Sequence, residues 1–234
     1  MNLNQQPPER AIKASDSIEI HSIFNTIQGE GPYAGCRAIF VRLAGCNLQC
    51  PMCDTEYTKG RMPYTPATLL AEIVNLTYPI PELIVITGGE PLRQPIRPFV
   101  EALLVAGFKV QVETNGTLYQ DLPFEHPRFM IICSPKMHYV HPKLIDHIRA
   151  LKYVANVESL KGSPDGLPMK ALDHPLQNKI LFRPPPYWPG EVYLQPVDEQ
   201  DEAKNLHNQH VVVRSCQQYG HRLCLQLHKI IGVS

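Results

Sequence analysis

Three of the seven cysteines in this chain fall within the eight residues 46–53. Cys46, Cys50 and Cys53 form a C-x3-C-x2-C array, preceded by Gly45 and followed by Asp54-Thr55. Three thiolates can hold three irons of a [4Fe–4S] cluster, because cluster iron is ligated by cysteine sulfur. Four would close the set. Three leave one iron with a vacant position, a chemical reason to expect catalysis rather than electron storage. Structural zinc commonly takes two C-x2-C-type pairs. Only one such pair is present, so the spacing favours a cluster, but a distant Cys or His completing a Cys3His site keeps zinc open. An odd cysteine count in a chain this long argues against a disulfide framework.

At 234 residues the chain can bury a core as one domain. The 22 Lys and Arg balance the 22 Asp and Glu, so charge makes no case for nucleic acid or an anionic membrane as main partner. The unpaired, clustered cysteines argue for a reducing compartment. Residues 1–10 have no apolar core of a signal peptide, and no apolar run approaches the ~20 residues of a membrane helix. A cytoplasmic protein is the expectation. Proline, at 23 residues, is about twice its ~5% share and predicts long shaped loops.

Residues 1–17 are polar and read as a flexible tail, leaving 18–234 as a single domain. Ile18 to Phe24 partly alternates as a strand, and Gln28-Gly29-Glu30-Gly31-Pro32 breaks it. Ala38 to Ala44 reads as a buried strand with Arg42 inside. A buried Arg is costly unless paired, so Arg42 either salt-bridges a neighbour or clamps a ligand carboxylate with its guanidinium fork. Thr65-Pro66 opens a helix to about Asn75. The strand Leu83 to Thr87 ends in Gly88-Gly89-Glu90-Pro91, where ligand loops of parallel α/β sheets lie. A helix from Pro95 to Ala106 closes at Gly107, and Lys109 to Thr114 forms the next strand, with Glu113 either a surface carboxylate or a site acid. Phe129 to Cys133 is a strand capped by Ser134-Pro135-Lys136, and Leu151 to Ala155 is another. The seven prolines of 156–190 predict loops and short turns. Glu191 to Gln195, a helix from Glu199 to Tyr219 and a final strand from Arg222 to Lys229 complete the chain.

The cysteine array and the Gly-Gly-Glu-Pro resemble the radical S-adenosylmethionine (SAM) superfamily. Within it, the segments from about Ile20 to the C-terminus resemble the 7-carboxy-7-deazaguanine synthase family. That resemblance implies a [4Fe–4S] cluster on Cys46, Cys50 and Cys53 whose open iron binds SAM, with Mg2+ on Thr55. It implies SAM contacts from Met52, Cys53, Asp54, Gly89, Glu90, Ser134, Pro135, Lys136, Gln195, Pro196, Val197 and Asp198. It implies substrate contacts from Ile27, Gln28, Gly29, Arg42, Thr87, Glu113, His228 and Ser234, with Arg42 and Glu113 carrying catalysis. The family's Gln-Thr-His-Lys end segment is matched by Gln226, His228 and Lys229, with Leu227 in place of Thr.

Alternating strands and helices, with polar loops at strand C-termini, predict a parallel α/β fold of six to seven strands. The chain is shorter than a full barrel, so an open, partial TIM-type barrel fits, as the resemblance also implies. The implied reaction is a radical SAM lyase step converting 6-carboxytetrahydropterin to 7-carboxy-7-deazaguanine, with ring contraction and loss of ammonia, in 7-deazapurine biosynthesis. The resemblance implies an external one-electron donor such as flavodoxin or ferredoxin, and a homodimer. Two other readings stand beside it: a different radical SAM enzyme such as a glycyl-radical activase, and a zinc-stabilised binding module.

Overall fold

The structure, a computed structural model, describes residues 7–50, 53, 55–76, 82–170 and 179–233. It is built on one nine-stranded open sheet in the order β3-β1-β2-β4-β5-β6-β7-β8-β9. The strands are β1 (Ile18–Ile27), β2 (Arg37–Leu43), β3 (Met62–Tyr64), β4 (Leu83–Gly88), β5 (Lys109–Thr114), β6 (Phe129–Cys133), β7 (Ile148–Ala155), β8 (Glu191–Pro196) and β9 (Arg222–Leu223). β1 is antiparallel to both β2 and β3; from β2 to β9 every pairing is parallel.

Period-2 alternation divides the sheet into two chemically distinct faces. Ile39, Val41, Ile84, Ile86, Val110 and Val112 point to one side and are fully buried. They pack with Leu69 and Ile73 of α1 (Pro66–Leu76) and with Phe99 and Leu103 of α2 (Arg97–Val105). Truncating a buried Ile here to Ala costs about 2–5 kcal/mol. The intervening residues Phe40, Arg42, Thr87, Glu113, Ile132 and Lys152 point to the other side and line a cavity. Strands of a parallel sheet covered on both faces read as continuous apolar runs. Near their C-terminal ends β2, β4, β5 and β7 instead place Arg42, Thr87, Glu113 and Lys152 on the cavity side. Other residues of that face pack in two smaller apolar clusters, one around Ala38, Leu83 and Val85 and one around Ile132, Ala150 and Tyr193.

Local signals explain most boundaries. Thr65 and Thr68 cap α1 reciprocally: Thr68 N donates to Thr65 Oγ1 at 3.2 Å and Thr65 N to Thr68 Oγ1 at 3.0 Å. Gly107, at φ +89°, follows α2. The remaining helices are α3 (Pro142–Ile145), α4 (Val157–Leu160), α5 (Glu202–Tyr219) and α6 (Leu227–Ile231). The short α4 lies within the proline-rich stretch expected as loops and is opened by a capping box between Asn156 and Ser159.

Several expectations are corrected. The sheet has nine strands among the described residues rather than six or seven; the edge strand β3 matches no expected element. β7 starts at Ile148, three residues before Leu151. α5 starts at Glu202, not Glu199, because the Asp201 side chain caps Lys204 N at 3.1 Å. The expected final strand to Lys229 ends at Leu223; Leu227 to Ile231 is helix, closed by Gly232 at φ +70°. Residues 9–12, expected in a flexible tail, are hydrogen-bonded to the body. Glu9 N donates to Cys46 O at 2.8 Å and Ile12 N to Arg93 O at 2.7 Å.

Candidate active site

One cavity of about 370 Å³ opens on the C-terminal ends of the parallel strands. Seven strands contribute side chains to it, so the sheet curves around it. Cys46, Cys50 and Cys53 lie on its wall, on the loop that leaves β2. Gly45, at φ +78°, turns the chain out of the strand. Its amide donates to Tyr57 O at 3.0 Å, and its carbonyl accepts from Glu90 N at 3.0 Å. Gly89 presses on this turn: a Cβ there would stand 2.1 Å from Gly45 O and 2.9 Å from Cys46 Cβ. Backbone rather than side chain therefore faces the cavity beside Cys46.

The donor chemistry suits an iron–sulfur cluster. Three thiols share the wall, and no other cysteine lines the cavity among the described residues. A cluster gives each sulfur its own iron. Burial pushes the Cys46 thiol up to about 12, with Glu90, Cys50 and Cys53 adding to the rise. Burial also raises Cys50, against a lowering pull from Lys136. Iron must therefore displace protons as it binds, which couples loading to pH.

Opposite the thiols lies a polar floor. Glu113 Oε1 accepts from Gln28 Nε2 at 3.0 Å and from Gln111 Nε2 at 2.8 Å. Its Oε2 accepts from Thr87 Oγ1 at 3.3 Å. Arg42 pairs across the ladder with Thr87, and its guanidinium lies 5.4 Å from the Phe24 ring, which stacks on Phe40. Beside them Lys152 and Glu30 form an ion pair, each side chain 12% exposed. Burial alone would lower Lys152; the charges of Glu30 and Glu113 reverse this and raise it. Burial would raise Glu30, but Lys152 holds it below the ordinary carboxylate range. Gln226 Nε2 also donates to Glu30 Oε1 at 3.0 Å.

The structure brings most of the expected residues to this cavity. Ile27, Gln28, Arg42, Thr87, Glu113 and His228 line it from the substrate set. Gly89, Ser134, Lys136, Gln195, Val197 and Asp198 line it from the SAM set, with Thr55 beside the cysteines. Gly29 lies beneath His228 rather than on the wall; a Cβ there would be 2.1 Å from His228 Nδ1. Glu90 is wholly buried and off the wall. Its carboxylate accepts from Thr114 Oγ1 and Asn115 N, each at 2.7 Å, and from Leu92 N at 2.9 Å, so it braces the glycine loop. Burial raises its pKa despite these donors. Pro135 and Pro196 do not line this cavity either. Met52, Asp54 and Ser234 lie outside the described residues.

Glu30, Lys152 and Asn115 were not singled out in the sequence as site residues, yet all are on the wall. Lys152 carried the same signal as Arg42: one charge inside an apolar strand.

The Radical SAM superfamily model matches residues 41–131. A 7-carboxy-7-deazaguanine synthase of Rhodospirillum rubrum is 42% identical over 227 residues, covering 94% of each chain. That of Rickettsia prowazekii is 37% identical, covering 97% of this chain and 94% of its own. That of Aquifex aeolicus is 35% identical, covering 93% and 94%. The crystal structure of QueE from Escherichia coli superposes with a TM-score of 0.69 at 25% identity, covering 91% of this chain and 95% of that one. Among the described residues no helix is long and apolar enough to cross a membrane. Cysteine loop, glycine loop and polar floor thus sit on a fold shared with relatives aligned nearly end to end, and the chain belongs to the 7-carboxy-7-deazaguanine synthase family of radical SAM enzymes.

Proposed function

We propose that this chain converts 6-carboxytetrahydropterin to 7-carboxy-7-deazaguanine, with ring contraction and loss of ammonia. The observation that carries this reading is the Gln28–Glu113–Thr87 set, flanked by Arg42 and Lys152, in one cavity with three cysteines. Cys46, Cys50 and Cys53 would hold the cluster. The cluster and SAM, when bound, supply the electron and the hydrogen-abstracting radical that the protein's own side chains cannot.

The protein's part is placement and charge. Arg42 offers a guanidinium fork to the substrate carboxylate. Gln28 provides both amide donors and an acceptor, matching the mixed edge of a pterin. Glu113, held by two amides and a hydroxyl, presents a fixed carboxylate to ring N–H groups. Gly89, Ser134, Lys136, Gln195, Val197 and Asp198 form the SAM wall, and the family resemblance adds SAM contacts from Met52 and Asp54. Thr55 would hold Mg2+ through an oxygen, and the ion would supply positive charge for the substrate carboxylate. His228 faces the substrate from α6, and the family resemblance adds a substrate contact from Ser234. We assign the donor role to an external flavodoxin or ferredoxin, the assembly to a homodimer and the location to the cytoplasm, on the family resemblance and the cysteine usage.

Anaerobic turnover tests the assignment. Reduced, iron-loaded protein with SAM, Mg2+ and 6-carboxytetrahydropterin is expected to yield 7-carboxy-7-deazaguanine, read by absorbance and mass. No product under those conditions overturns it. A colourless protein with one zinc and no sulfide removes radical chemistry altogether.

A further inference from the structure

Behind the cysteine loop, away from the cavity, four charged side chains meet. Arg93 is 2% exposed, an unusual burial for a guanidinium. Its Nη2 donates to Ala44 O at 3.1 Å and its Nη1 to Arg10 O at 3.3 Å. Its guanidinium lies against Gly45: a Cβ on that residue would stand 2.5 Å from Nη2 and 2.7 Å from Cζ. Glu9 binds both Arg61 nitrogens, Nη1 at 3.1 Å, and lies 3.2 Å from Arg93 Nη1. Glu19 Oε2 is 3.3 Å from both Arg61 Nη1 and Arg93 Nη2. Two carboxylates therefore balance two guanidiniums. The segment that delivers Glu9 also binds the loop directly, through Glu9 N to Cys46 O.

We propose that residues 9–12, with Arg61 and Arg93, form a charge clamp that positions the Cys46 end of the loop and sets the reduction potential of the cluster held there. The proposal rests on the radical SAM reading. The clamp reaches the loop at three consecutive residues: Arg93 Nη2 bonds Ala44 O, its guanidinium packs on Gly45, and Glu9 N bonds Cys46 O, so it fixes where the first sulfur stands. Groups that orient a ligand from behind govern metal retention, and nearby charge and hydrogen bonds govern cluster potential. Reduction adds negative charge to the cluster. Removing the Glu9 charge leaves the two guanidiniums partly uncompensated, with that of Arg93 against Gly45 beside the first cysteine, which favours the reduced form.

The test uses the full-length, anaerobically reconstituted protein and Glu9→Gln, with Glu101→Gln on the outer surface of α2 as control. Iron loss to a chelator is expected to be about tenfold faster in Glu9→Gln. Its midpoint potential, read by electron paramagnetic resonance during redox titration, is expected to rise. The control should match wild type in both. A midpoint potential unchanged in Glu9→Gln overturns the proposal, even where the variant is less stable, since a mere brace would behave that way. A wild-type chain that takes up no cluster is a different result, and sinks the functional reading instead.

Discussion

His228 rests directly on Gly29. Leu227 N donates to Gly29 O at 3.1 Å, and there is no room for a Cβ between the glycine and the imidazole. The loop after β1 and the helix α6 are thereby joined into one wall of the cavity. Gly29→Ala must push α6 outward, an overpacking strain of about 1–3 kcal/mol. Affinity for the pterin should fall at least tenfold, read by calorimetric titration, while iron content stays at the wild-type level. Undiminished affinity would show that this wall does not shape the pterin site.

Arg42→Ala should leave cluster content and SAM cleavage intact and weaken pterin binding by about 1.5–3 kcal/mol, the loss of a charge-assisted contact. Equilibrium binding of the pterin to the loaded variant measures it. Equal affinity in variant and wild type would remove Arg42 from the substrate contacts and leave it a structural role beside Phe24.

Glu113 receives two amide donors on one oxygen and a hydroxyl on the other. Glu113→Gln keeps the shape but removes the charge and one acceptor that these donors need. A fall in kcat/KM of about 10²-fold or more is expected, with SAM binding unchanged. Steady-state kinetics and SAM titration separate the two effects.

Breaking the Lys152–Glu30 pair leaves a buried charge without its partner. Lys152→Met should cost about 3–5 kcal/mol in denaturant unfolding, and the double variant Lys152→Met with Glu30→Gln should recover part of it. A double variant no more stable than the single one would mean the pair is not coupled. The pH dependence follows the sign of the shifts. Glu30 is depressed, so its share of stability is present above the ordinary carboxylate range and is lost as pH falls through its lowered value.

Lys229 Nζ donates to Asp198 Oδ2 at 2.8 Å and, chiefly through that bond, holds the carboxyl at about 2, against an ordinary 3.8. A depressed acid stabilises above its ordinary value and loses that contribution on the way down. Amides of α6 should therefore exchange faster between pH 3.8 and about 2, and Asp198→Asn should flatten the profile. The pair is partly exposed, so the effect is worth only ~0.2–1 kcal/mol. Hydrogen exchange by mass spectrometry reads it.

The parts legible in sequence were those written locally. The cysteine spacing, the Gly-Gly loop after an apolar strand and the charge of Arg42 inside β2 all mark the cavity without reference to distant residues. Lys152 bore the same mark in β7, but its partner Glu30 is 122 residues away, so the pairing is a product of the fold. The end of the chain misled for a physical reason. Arg222 to Lys229 alternates like a strand, yet β9 pairs only with β8 and leaves the sheet after two residues. Cys224 turns inward, Leu227 N finds Gly29 O, and α6 forms instead. The N-terminal segment looked loose because it lacks apolar periodicity; charge pairing and backbone bonds hold it, and neither leaves a periodic trace.

Towards the C-terminal ends of β2, β4, β5 and β7, residues of odd and even position belong to different worlds: oil on the helix side, the reagents Arg42, Thr87, Glu113 and Lys152 on the other. A single inserted or deleted residue within one of these strands reverses that parity, sending Arg42 or Glu113 into the hydrocarbon and an isoleucine or valine into the chamber. For this architecture, reading-frame-preserving indels in the strands should be far more damaging than almost any single substitution there, since one slip removes the reagent and spoils the core together.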